Sequence, residues 1–121
     1  MKILEASTPI VTTDAEAGVK RYRALTGEDV AFRFDVLELG ITIARVANFA
    51  LISGTEPATR LMRTVRATLA VDSVQQFQAV LQGLGFTILQ PPVRRSTGIN
   101  MVVGDPDGSV LEFVEALRSP P

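Results

Sequence analysis

The stretch GDPDGSVLEFVE, residues 104–115, is where the fold of this chain is decided. Asp105-Pro106-Asp107-Gly108 predicts a type I turn, with Asp in the first position, Pro in the second and Gly in the fourth. The strand after it carries Glu112 between Val110 and Val114 on one face, with Leu111 and Phe113 on the other. A carboxylate inside a strand that is apolar on both faces is costly unless a metal, a cation or wet space accommodates its charge.

Working outward, INMVV (99–103) is a strand leading into the turn, preceded by a loop QPPVRRSTG and a short strand FTIL (86–89). Before these, Asp72 with Gln75 three positions on resembles a helix start, and Val74, Phe77, Leu81 and Leu84 form an apolar helical stripe that Gly85 ends. TVRATLAV (64–71) opens this half as a strand. The first half has the same order. Residues 3–11 (ILEASTPIV) form a strand, Thr13 with Glu16 matches a capping box, and Ala15, Val19, Tyr22 and Leu25 give a helical stripe closed by Gly27. From Val30 the period changes to two, with Val30, Phe32, Phe34 and Val36 on one face; Gly40 and Asn48 then punctuate strands at 41–47 and 49–53. Polar residues 55–63 with Pro57 form a linker. One domain, 1–121, therefore holds a module at about 1–54, a linker at about 55–63 and a second module at about 64–117. Strand, helix and three strands occur twice. Two helices cannot cover both faces of eight strands, so one face is expected to curve around a cavity.

Composition narrows the chemistry. The 121 residues are 46% apolar and 21% charged, an ordinary globular balance. A net charge of −1 offers no basic field for nucleic acid or an anionic membrane. No run reaches the ~18 apolar residues of a membrane span, and Glu5 interrupts any signal-like segment, so the expected location is cytoplasmic. There is no Cys and no His. Thiolate chemistry, a Ser-His-Asp triad and the two-His-one-carboxylate iron site are thereby excluded.

Residues 86–115, FTILQPPVRRSTGINMVVGDPDGSVLEFVE, and residues 11–28, VTTDAEAGVKRYRALTGE, resemble the closing and opening elements of the vicinal oxygen chelate superfamily, the glyoxalase/bleomycin-resistance/dioxygenase family. The resemblance covers nearly the whole chain. It implies an α+β fold of two βαβββ modules, forming a curved, partly open eight-stranded sheet around a cavity. It also implies a homodimer. Metal enzymes of the family draw ligands from the first and last strand of each module, positions that fall here at about Ser7, at Leu51 or Ile52, at Arg66 and at Glu112. Only Glu112 keeps the expected type.

The resemblance places the first and last strands of a module side by side, so Arg66 and Glu112 are expected to point into one cavity, the guanidinium standing roughly where a metal would. A planar fork suits a carboxylate. The plainer alternative is that the pair only ties two strands together. Other candidates are Arg94 and Arg95, which as loop residues would reach over a cavity mouth and draw in an anion or simply lie solvated, and Phe32, Phe34 and Phe49, which would stack on a planar ligand or simply fill a core. Glu5 and Ser7, with Glu112, offer the one route to an oxygen-only metal site.

Three functions follow as expectations. The first is stoichiometric binding of a small organic molecule without a cofactor, in the manner of antibiotic-sequestering relatives, with Ser7, Arg66, Glu112, Phe32 and Phe34 as ligand-binding residues. The second is a glyoxalase-like lyase or isomerase using a divalent metal held by Glu112 with Glu5, Ser7 or ligands from a second chain, against which Arg66 counts. The third is a metal-free enzyme with Glu112 as general base.

Overall fold

The structure, a computed structural model, describes residues 1–116. Leu117, the expected last residue of the second module, lies outside them. The chain divides into two compact units, one formed by Ser7–Thr64 and the other by Met1–Ala6 with the chain from Val65 onward. The first strand, β1 (Ile3–Thr12), contributes residues to both.

In the first unit α1 (Ala15–Thr26) is followed by β2 (Val30–Val36), β3 (Ile41–Val46) and β4 (Phe49–Gly54), with strand order β2-β3-β4-β1 and β1 parallel to β4. A one-turn helix, α2 (Glu56–Thr59), lies within the stretch expected as linker. The second unit runs β5 (Val65–Val71), α3 (Val74–Gly83), β6 (Thr87–Arg95), β7 (Gly98–Gly104) and β8 (Val110–Ala116), in the order β5-β8-β7-β6 with β5 parallel to β8. The fold is the expected α+β class, with the βαβββ order occurring twice. Among the described residues no helix is long and apolar enough to cross a membrane.

Both helices begin one residue later than the capping boxes suggest. Asp14, not Thr13, caps α1 by accepting from the Ala17 N–H at 3.1 Å, and Ser73, not Asp72, caps α3 by accepting from the Gln76 N–H at 3.2 Å. Asp72 is used elsewhere: its carboxylate accepts the backbone N–H of Lys2 at 2.8 Å. At the other end of α1, Gly27 takes a left-handed φ of 72°, which lets its N–H reach the Arg23 carbonyl.

Two apolar faces pack on these helices. In the second unit Val74, Phe77 and Leu81 of α3 meet Val71, Met101, Val103 and Phe113 from the sheet. The Phe77 and Phe113 rings lie 5.4 Å apart and tilted, a favourable aromatic arrangement. In the first unit Val19 packs with Ala44, Val46 and Leu51, and Tyr22 lies against Phe49 at 4.9 Å. Phe49 is thereby a core residue, the less functional of its two expected roles.

The expected loop at 90–98 is the largest local correction. Gln90 to Arg95 belong to β6, which pairs with β7 through register shifts around Gln90 and Val93. Pro91 and Pro92 donate no backbone hydrogen bond, and an edge strand with bulges is where a sheet tolerates them. β6 is that edge.

Candidate functional site

The alternation of β8 puts Phe113 and Leu111 against α3 and turns Glu112 to the face of the sheet that α3 does not cover. Cross-strand register identifies its neighbours there. Glu112 stands opposite Thr68 on β5 and opposite Val102 on β7, and the next residue on that face of β7 is Asn100. The Thr68 hydroxyl donates to Glu112 Oε1 at 3.0 Å, and the Asn100 amide donates to Oε2 at 3.1 Å. On β6, Val93 pairs with Asn100 and Arg95 pairs with Gly98, so Arg95 falls on this same face while Arg94, paired with Ile99, falls on the other.

The electrostatics follow from that placement. Burial pushes the Glu112 carboxyl above the usual carboxylate range, and the hydrogen bonds from Asn100 and Thr68 and the charge of Arg95 only partly oppose it. Glu112 is nonetheless half-buried rather than sealed in. Asn100 adds a second irregularity. Its Oδ1 is buried and has no hydrogen-bond partner, which ordinarily costs about 1–3 kcal/mol.

The expected Arg66–Glu112 pair is not formed. Val65 pairs with Val110 but Ala67 pairs with Leu111, so Arg66 is the extra residue of a bulge. Thr68 stands opposite Glu112, two residues beyond Arg66 on β5, while Arg66, left unpaired in the bulge, is exposed. A hydroxyl occupies the place expected for a guanidinium.

Glu5 lies exposed on β1. Among the described residues no three or more His, Cys, Asp or Glu side chains come together as a metal-holding group. Glu112 brings a single carboxylate whose two oxygens receive hydrogen bonds from the Thr68 hydroxyl and the Asn100 amide, whereas a divalent ion takes several oxygen or nitrogen ligands. Ser7 is buried in the first unit. Phe32 and Phe34, also in the first unit, stack on each other at 5.5 Å and 12°, with Phe32 43% exposed. They share a face with Arg45, which pairs with Phe32 across β2 and β3. The Arg45 guanidinium donates to the Ala47 carbonyl at 2.6 Å.

Thr68, Asn100 and Arg95 are thus the partners of Glu112. Alternation along TVRATLAV puts Thr68 on the face of Arg66, which makes it legible as a neighbour of the site. Asn100 gave only a weak signal, a lone polar residue inside the apolar run INMVV. Two concavities lie elsewhere: one of about 760 Å³ beside α1, lined by Glu16, Lys20, Arg23 and Asp29 among others, and one of about 340 Å³ at the start of α3, lined by Ser73, Gln78 and Glu115 among others. In the second, Glu115 accepts the Val74 N–H at 2.9 Å, so the free N–H there is already satisfied.

No family model matches this sequence, and no curated protein does. Among solved structures, an uncharacterised protein from Methanosarcina mazei is 34% identical over 100% of this chain and 98% of its own, with a TM-score of 0.89. Methylmalonyl-CoA epimerase from Mycobacterium tuberculosis is 14% identical over 96% of this chain and 90% of its own, with a TM-score of 0.75. A Streptomyces coelicolor methylmalonyl-CoA epimerase in complex with 2-nitronate-propionyl-CoA is 19% identical over 97% of this chain and 100% of its own, with a TM-score of 0.72. At these lower identities the likeness is one of fold, that of the vicinal oxygen chelate proteins. The chain therefore belongs to one family with the uncharacterised Methanosarcina mazei protein, and it has the fold of the methylmalonyl-CoA epimerases.

Proposed function

We propose that this protein binds a small organic molecule on the face of its second module that α3 leaves uncovered, with Glu112, Thr68, Asn100 and Arg95 orienting it. The observation that carries this is the Glu112 carboxyl itself. It is desolvated enough to lie above its ordinary pKa, yet it stays half-buried on a face its own helix does not use. A hydrophobe there would close the sheet more cheaply, and costly titratable groups concentrate at functional sites. Apolar neighbours supply contact area: Val114 and Val110, both partly exposed, flank Glu112 on its own strand. A few polar groups in an apolar setting is the usual composition of a small-molecule site.

Sequestration of a planar compound, as in bleomycin-resistance proteins, would draw on the stacked Phe32–Phe34 pair of the first module. A homodimer is part of the proposal; exposed Ile3 and Leu4 on β1 support an apolar contact there. A second function is favoured by the raised pKa of Glu112 and by the epimerases that share the fold: metal-independent proton transfer, with Glu112 as general base.

The test is a ligand-observed NMR screen of small organic molecules against the protein and Glu112→Gln. Hits that move the Asn100 side-chain resonances and weaken or change in Glu112→Gln support the site. Hits that bind both proteins alike and leave Asn100 unmoved overturn it. Exchange of a ligand C–H with solvent deuterium, lost in Glu112→Gln, separates catalysis from plain binding.

A further inference from the structure

We infer, on the reading that the Glu112 face is a ligand site, that its ligand is a small carboxylic acid seated on Arg95 and linked through Asn100 to a protonated Glu112. Three placements carry this. Arg95 shares the face with Glu112 and acts on it through space, but the two form no ion pair among the described residues. Its guanidinium therefore keeps donors for another anion. Asn100 sits on β7 between the strand of Glu112 and the strand of Arg95, its own partners being Val114 and Val93. One arm of its planar amide holds Glu112 Oε2, and the other arm, Oδ1, is buried without a partner.

Protonation of Glu112 resolves that orphan. A carboxylate held on Arg95 brings a second negative charge to the face, and like charges favour protonating the desolvated one. The proton comes from solvent and stays on Glu112 Oε2. Turning the Asn100 amide over then lets Oδ1 accept the Oε2–H, while Nδ2 donates away from Glu112, toward the β6 side where the ligand carboxylate lies. Every polar atom of Asn100 is then used, and the chain Arg95, ligand carboxylate, Asn100, Glu112 runs unbroken across β6, β7 and β8. Thr68 on β5 keeps its bond to Oε1, since a carboxyl oxygen accepts in either protonation state. Val110 and Val114, the neighbours of Glu112 on its own strand, bring no competing charge to this face.

The probe is propionate, with propionamide and propylamine as neutral and cationic counterparts. Titration by calorimetry in buffers of different ionisation enthalpy, with NMR of the Asn100 side-chain amide, reads binding and proton uptake together. The expected result is that propionate binds with uptake of close to one proton, and that its affinity falls about tenfold per pH unit above the Glu112 pKa. Arg95→Gln, checked to melt like the parent, weakens it by about tenfold or more. Glu112→Gln still binds propionate, because an amide N–H can donate to Oδ1, but takes up no proton. Propionate binding without proton uptake, or undiminished in Arg95→Gln, overturns the inference. If propionamide or propylamine moves Asn100 and propionate does not, the ligand site stands and the carboxylic acid falls. If none of the three moves it, both fall.

Discussion

The two modules have the same element order but use their faces differently. Both set a helix on one side of a four-strand array, yet α3 buries Val74, Phe77 and Leu81 in 10 residues, whereas α1 buries Gly18 and Val19 in 12. On the side the main helix leaves uncovered, the first module places Val36, Ile41 and Ile52, with Phe34, Ala58 of α2 and Met62 packed against them. The second places Glu112, Thr68 and Asn100 there. The first module spends most of that face on packing, with buried Arg45 as its charged member, and the second spends it on polar chemistry. Where the same architecture recurs, the residues that depart from the cheaper choice are the ones to question.

The largest effect should come from the better-filled helix side. Phe113 is 2% exposed and lies against Phe77, so Phe113→Ala should cost about 3–5 kcal/mol in urea unfolding. Val19→Ala, in the sparser core of α1, removes two methyl groups at a site 9% exposed and should cost clearly less, about 1–2 kcal/mol at ~0.8 kcal/mol per methylene-sized group. Equal losses would mean that the two helices are held alike and that the contrast in burial misleads. Amide hydrogen exchange gives the same comparison without mutation: α1 should exchange before α3.

The polar face should respond next, and its response depends on pH. Because the folded Glu112 pKa is raised, the carboxylate destabilises the fold at pH above that value. The penalty fades as pH falls through the folded pKa and is gone below the unfolded one. The protein should therefore gain stability on mild acidification relative to Glu112→Gln, which lacks this term; parallel pH profiles of melting would contradict the desolvation. Thr68→Val removes a hydroxyl that donates to the charged form, so it should cost about 1.5–3 kcal/mol above the Glu112 pKa and less below it.

Helix caps test a likeness between the modules rather than a difference. Asp14→Ala and Ser73→Ala should each cost about 1 kcal/mol, while Thr13→Ala, one residue off the cap, should be close to neutral. A loss at Thr13 equal to that at Asp14 would restore the earlier helix start.

These cases show what could be read from residues alone. Periodicity gave the strands, the helices and their order, because the apolar faces that drive packing are written as alternation and as helical stripes. The capping motif fixed each helix start only to within a residue, since Thr13-Asp14 and Asp72-Ser73 both place two capping types in succession. Two prolines made residues 90–95 look like a loop, although an edge strand tolerates them. The partner of Glu112 was lost for a sharper reason. Alternation alone puts Arg66 and Thr68 on one face; a bulge that leaves Arg66 unpaired exchanges it for Thr68 as the neighbour of Glu112, and nothing in VRAT announces the bulge.

Arg66 is where that exchange is tested most directly, and where the smallest effect is expected. If Arg66 neutralised Glu112, removing it would leave a desolvated carboxylate without its cation, a loss of about 3–5 kcal/mol. With Arg66 exposed in a bulge and Glu112 held by Thr68 and Asn100, Arg66→Ala should stay within about 0.5 kcal/mol of the parent. The pH profile should also be unchanged, since Arg66 has no part in setting the Glu112 pKa, whereas Arg95→Gln should raise that pKa by withdrawing a charge that lowers it. A large loss at Arg66 would return the guanidinium to the site. A small one, beside a shifted profile in Arg95→Gln, assigns the cation of this face to the edge strand instead of the first.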